Sequence, residues 1–208
     1  KYMFDNRNDY TEVQQRIVKS ARKLFIKRGF KGTTVRDIAN DSNTNVAMVN
    51  YYFRSKNKLF ETVLGEALSI LMKKIFSILD SDLPFFDLVR EWIYSYYDTL
   101  MEYPDLPNFV LNELAHNPDM LKKNMHFRQL HQCYNYLTRR IREEEEKGTI
   151  RPVPFNDFLI NIISLSVFPF AGKPVLIRFL GISESKYIEA MAKHREYVAD
   201  FIIHAISK

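Results

Sequence analysis

Apolar residues recur at helical spacing along nearly the whole chain. In the segment Tyr10 to Arg28, Val13, Ile17, Ala21, Leu24 and Phe25 share one face, and Arg16, Lys19, Lys23 and Lys27 share another. Gly29 then stops the helix as a C′ glycine. Thr34-Val35-Arg36-Asp37 has the form of a capping box and opens a short helix to about Asp41, turning Val35, Ile38 and Ala39 inward. Ser42-Asn43-Thr44 is a turn, with Asn43 suited to the left-handed conformation. Asn45 caps a second short helix that presents Val46 and Val49 inward, and Ser55 caps a longer one from Lys56 towards Leu79.

The helical pattern persists beyond residue 60, punctuated by proline and glycine. Segments are expected from Asp82 to Tyr103, from Asn117 to Lys147, from Phe155 to Ala171 and from Ser183 to Ile206. Pro104 and Pro107 read as an interruption, and Gly172 and Pro174 as a second break before a short piece ending at Gly181. No repeat, low-complexity tract or hairpin signal appears. The expected fold is all-α. Its N-terminal head, residues 1–55, is a three-helix helix-turn-helix unit of the kind that enters DNA, and residues 56–208 form a helical body.

Composition narrows the function. The chain has 208 residues and one cysteine, Cys133. It can form no internal disulfide and no four-thiolate zinc site, and the lone thiol fits a reducing, cytoplasmic setting. No apolar run approaches the roughly 20 residues of a membrane span, so no membrane partner is expected. The charge is uneven. Residues 1–60 hold 13 Lys/Arg against 5 Asp/Glu, a net of +8, whereas residues 61–208 hold 17 against 20, a net of −3. Basic charge gathered in one small unit fits a polyanion partner, or simply a solvated basic surface.

Catalytic patterns are missing. HExxH, GxGxxG and the Walker A run are absent. His131 and Cys133 lie two apart on an expected helix and so diverge, and Glu143–Glu146 reads as a solvated face matched by Arg139, Arg140 and Arg142. No enzyme, metal site or cofactor is expected. The alternative to DNA binding is a helical small-molecule or protein-interaction module.

The run Gly29 to Phe60, with Gly29-Phe30, Thr33-Thr34, Asp37-Ile38-Ala39, Tyr52-Phe53, Lys56 and Leu59-Phe60, resembles the signature of the tetracycline-repressor (TetR) family of transcriptional regulators. The chain length and the all-helical remainder agree. Where that family often has Ala-Gly-Val-Ser, this chain has Ser42-Asn43-Thr44-Asn45; Ala47 stands at a common Gly position and Asn50 at a common Tyr position.

The resemblance implies that the helix Asn45–Tyr51 lies in the major groove of double-stranded DNA, on a palindromic operator. Thr34, Thr44, Asn45, Tyr51, Tyr52 and Lys56 then face phosphates, Lys56 foremost, although Thr34 also serves as a cap and Tyr52 can be largely core. Asn50 can bond adenine through two atoms, and Arg36 can address guanine or a phosphate. Val46, Ala47 and Met48 can touch thymine methyls, with a core role open for Val46.

Specific binding usually needs two heads on two half-sites, so a homodimer is expected, the alternative being a monomer with a thick core. By resemblance, the interface is a four-helix arrangement using Phe158, Ile162, Tyr187, Met191, Val198, Phe201, Ile202 and Ala205. The resemblance also implies an effector pocket for an unknown small molecule. Candidate lining residues are Trp92, Tyr96, Phe109, Asn112, His116, Phe127, His131, Tyr134, Phe168 and Arg178, although aromatics at helical spacing are more often plain core. The expected activity is sequence-specific repression relieved by that effector.

Overall fold

The structure is a computed structural model that describes residues 10–79, 81–116 and 127–208. Among the described residues the chain forms helices and one isolated bridge, Ile150 to Ser207, with no strand. In chain order the helices are α1 (Glu12–Arg28), α2 (Val35–Asp41), α3 (Val46–Phe53), α4 (Lys56–Leu79), α5 (Phe85–Glu102), α6 (Leu106–His116), α7 (Phe127–Glu146), α8 (Phe155–Ala171), α9 (Lys173–Leu180) and α10 (Glu184–Ile206).

The chain divides into two compact units. The first takes residues 1–69 and 109–125, the second residues 70–108 and 126–208. The N-terminal unit therefore includes the first half of α4 as well as α1 to α3.

In the N-terminal unit, Ile17, Leu24 and Phe25 of α1 are buried with Ile38 of α2, Val49 of α3 and Leu64 of α4. Phe60 is the aromatic hub of this core. Its ring meets Phe25, Phe30 and Phe109 edge-on, at 5.0, 4.9 and 5.9 Å between centroids. Thr11 begins α1 through a complete capping box with Gln14, and Gly29 ends it at φ 68°, a value that favours glycine.

In the C-terminal unit, α5 packs on α8 and α10. Phe85, Trp92, Tyr97, Phe158, Phe170 and Tyr187 are buried there. Pro169 sits inside α8 and has no N–H to give Leu165, four residues back. The Tyr97 hydroxyl donates to the Leu165 carbonyl at 3.2 Å instead, and the Tyr187 hydroxyl donates to the Pro169 carbonyl at 2.7 Å. Two buried phenols thus satisfy carbonyls near the end of α8, as buried backbone groups require. The chain then bends by 73° into α9.

Helix α6 differs from expectation. Pro104 and Pro107 read as an interruption, yet Leu106–His116 is helical, because Pro107 falls in the first turn, where the missing N–H has no partner to lose. The expected helix from Asn117 is described from Phe127 onward; residues 117–126 lie outside the described residues. Among the described residues, no single helix is long and apolar enough to cross a membrane, and no group of His, Cys, Asp or Glu could hold a metal.

Candidate nucleic-acid interface

Helices α2 and α3 form a helix-turn-helix closed by local hydrogen bonds. Thr34 caps α2: its hydroxyl accepts from the Asp37 N–H at 3.1 Å and donates to the Asp37 carboxylate at 2.6 Å, and that carboxylate also takes the Thr34 N–H at 2.8 Å. The hydrogen bonds from Thr34 hold the exposed Asp37 carboxyl below its ordinary pKa. Before the cap, the buried Thr33 hydroxyl lies 2.9 Å from the Gly29 carbonyl and 3.2 Å from that of Leu24, anchoring the loop to the end of α1.

The interhelical turn is equally tight. Thr44 N–H donates to Ala39 O at 2.9 Å, Asn43 adopts φ 51°, and the Ser42 and Thr44 hydroxyls meet at 2.8 Å. Asn45 caps α3 with its side-chain oxygen, which accepts from Met48 N–H at 2.8 Å.

This scaffold sets the orientation of α3. Val49 and Phe53 point into the core, while Ala47, Asn50 and Tyr51 are exposed, Tyr51 to 78%. Their spacing places those three on one side of the helix. Val46, Met48 and Tyr52 are half-buried at its margins, and the Tyr51 and Tyr52 rings meet edge-on at 5.1 Å. Thr34 and Arg36 are exposed on the first turn of α2. Thr44 is half-buried, with its hydroxyl engaged inside the turn, which makes it a builder of the motif before anything else.

Lys56 stands differently from the sequence expectation. Its ammonium donates to the Phe30 and Thr33 carbonyls at 2.9 and 3.0 Å and lies 4.1 Å over the Phe30 ring. It ties the start of α4 to the loop that precedes α2, so its first role is structural.

The basic side chains of the N-terminal unit sort into those held by carboxylates and those not. Arg22 pairs with Glu66, Lys23 with Asp41 at 2.6 Å, Lys58 with Glu61 at 2.7 Å, and Arg28 with Asp37 at 3.7 Å. Among the described residues, Arg16, Lys19, Lys27, Lys31, Arg36 and Arg54 have no carboxylate partner. Arg54, which the sequence reading passed over, ends α3 with φ 61° and ψ −40°.

The residues expected to form the dimer contact divide. Phe158 and Ile162, at 2% and 0% exposure, are buried within their own unit, as are Tyr187, Met191, Val198 and Ile202. Side chains already enclosed by one chain cannot face a second, so these six belong to the core. Phe201, 66% exposed, and Ala205 remain on the surface. The outward faces carry other apolar side chains: Ile160, Ile163 and Phe168 on α8, Val175 and Phe179 on α9, Ile188 and Tyr197 on α10.

The expected effector residues are divided between the two units. Trp92 and Tyr96 are buried together on α5, and burial raises the pKa of the Tyr96 phenol. The Trp92 indole N–H is buried beside the Tyr96 hydroxyl, which it helps to hold in the ionised form against the larger effect of burial. Phe109 is core of the N-terminal unit beside Phe60, and Asn112 is exposed there. His131, Tyr134, Phe168 and Arg178 are exposed, Tyr134 lying edge-on to Phe155 at 4.6 Å. The side chains of His116 and Phe127 lie outside the described residues. Cys133 is buried and its thiol is pushed up to about 11, the opposite of an activated nucleophile.

Residues 17–63 match the family described as bacterial regulatory proteins, tetR family. The chain is 25% identical over 202 residues to the HTH-type transcriptional repressor NicS of Pseudomonas putida, covering 94% of this chain and 93% of that protein. It is 27% identical over 161 residues to the "Probable HTH-type transcriptional regulator YttP" of Bacillus subtilis, covering 76% and 77% respectively. The fold is shared with a TetR family transcription regulator from Marinobacter aquaeolei, with a TM-score of 0.67 at 16% identity over 97% of this chain and 98% of that one.

Proposed function

We propose that this chain, a DNA-binding transcriptional regulator of the tetR family, acts as a homodimeric repressor that leaves a two-fold operator when a small apolar molecule binds its C-terminal unit. The observation that carries the reading is the outward stripe Ala47, Asn50 and Tyr51 on a capped α3, in a unit that also holds cations with no carboxylate partner among the described residues. Asn50 presents an amide that can pair with adenine N6 and N7, Ala47 a methyl for thymine, and Tyr51 a phenol for a phosphate. The free cations supply the salt-dependent part of the affinity.

Two copies join through the apolar faces that α8 to α10 leave uncovered, Ile160, Ile163, Phe168, Tyr197 and Phe201 among them. The effector reading is supported by the buried polar pair Trp92 and Tyr96 set among aromatics on α5, the mixture of apolar wall and few polar groups that a small ligand uses. Effector binding acts by favouring a head spacing that does not fit the operator.

A gel-shift with the DNA upstream of the protein's own gene tests the reading. Specific retardation competed by the same duplex and not by an unrelated one supports it. Retardation equal on both leaves only non-specific binding, and none at all favours the module without a DNA role.

A further inference from the structure

The junction between α3 and α4 carries a strained backbone conformation at Arg54. Arg54 N–H closes α3 on the Asn50 carbonyl at 2.8 Å, and Ser55 N–H reaches back to the Phe53 carbonyl at 2.6 Å. With φ 61° and ψ −40° at Arg54, this is the positive-φ form of the γ-turn, the rare and strained one. Glycine would adopt it without a Cβ penalty, yet arginine occupies the position. A cation at a helix C-terminus gains from the helix dipole, which offsets part of such backbone strain. Among the described residues the Arg54 guanidinium has no ion pair, and Arg54 is exposed. Its neighbours are occupied: Lys56 is held by the Phe30 and Thr33 carbonyls and Lys58 by Glu61. In sequence, positions 47, 50, 51 and 54 continue one helical register, so Arg54 stands at the end of the stripe that faces the groove.

We infer that Arg54 is a DNA-contacting residue that clamps a backbone phosphate beside the groove occupied by α3, and that the strained turn persists because it presents this guanidinium. The inference rests on the reading of α3 as the groove helix. Arginine suits the task because its fork takes two phosphate oxygens at once. The role that the sequence pattern gave to Lys56 is thereby shared with, or passes to, the residue two positions before it.

The test is salt-dependent binding of the full-length protein to a 30-base-pair duplex of arbitrary sequence, followed by fluorescence anisotropy, since a phosphate contact needs no operator (duplex length of about three helical turns). Arg54→Gln should lower the slope of log affinity against log salt by about 0.9 per head and weaken binding roughly five- to tenfold at about 0.1 M salt. Arg54→Lys should keep most of the slope. Arg54→Gly should lose the slope as Gln does while melting higher than the Gln variant, because the turn is relaxed. An unchanged slope for Arg54→Gln overturns the phosphate contact, and a Gly variant that melts no higher than the Gln variant overturns the strained presentation. Wild-type protein with no salt-dependent binding would sink the groove-helix reading and this inference with it; a wild type that binds while the Gln variant matches it sinks only the inference.

Discussion

The Lys56 ammonium lies 4.1 Å above the Phe30 ring and donates to the carbonyl of that same residue at 2.9 Å, with the Thr33 carbonyl accepting a second proton at 3.0 Å. One side chain thereby satisfies two backbone acceptors and rests on the aromatic cluster around Phe60. The loop it pins leads directly into the Thr34 cap, so the first residue of α4 sets where α2 begins.

Lys56→Met should therefore destabilise the protein by about 2 kcal/mol, through loss of charge-assisted hydrogen bonds to partly buried carbonyls. Denaturant unfolding of the variant checks this. A loss confined to DNA affinity, with stability unchanged, would mean that the ammonium serves the phosphates alone.

Asn50→Ala should relax base preference at one position of each half-site at a cost of about 1–3 kcal/mol, leaving non-specific binding nearly intact. Selection of binding sites from a randomised pool, for both proteins, reads this directly. Asn50 is exposed, so the fold should not suffer.

Phe201→Glu should split the dimer without unfolding the chain, because the side chain is on the surface, whereas Phe158→Glu should unfold it, because that ring is core. Analytical ultracentrifugation and circular dichroism separate the two outcomes. An intact dimer in Phe201→Glu would move the interface elsewhere.

Tyr97→Phe should cost about 1 kcal/mol, since it strips the donor from the Leu165 carbonyl that Pro169 leaves unserved. Thermal melting of the variant is the measurement.

Acid should weaken the C-terminal unit through His194. Burial lowers the pKa of that imidazole in the folded state, so the unfolded chain binds the proton more readily. Stability is then fully present above the ordinary histidine value of about 6.5 and falls as the pH drops below it. Urea titrations between about pH 7.5 and pH 5.5 should show a decline that His194→Gln flattens.

What could be read in the sequence was what is local. Thr34, Asn45 and Ser183 announce their helices because each cap bonds within three residues, and all three do so in the structure. Gly29 and Gly181 likewise end α1 and α9 at positive φ. Lys56 was beyond such reading, since its acceptors lie 23 and 26 residues earlier. The inward and outward sides of α8 were hidden for another reason. Helix α8 is apolar on nearly every side, and periodicity cannot tell which side its own unit fills; Phe158 and Ile162 turned inward and Ile160 and Ile163 outward. Arg54 escaped notice because strain at a helix exit leaves no mark in residue type.

The proposed function stands on the outward face of α3 reading duplex DNA, two copies at a time. Footprinting of the protein on the DNA upstream of its own gene, with wild type beside an Ala47→Glu, Asn50→Ala double variant, tests it most directly. The expected result is a protected site with two-fold symmetry, its half-sites about one helical turn or more apart, which vanishes in the double variant while the variant stays folded. Protection that survives intact in a folded double variant would contradict it.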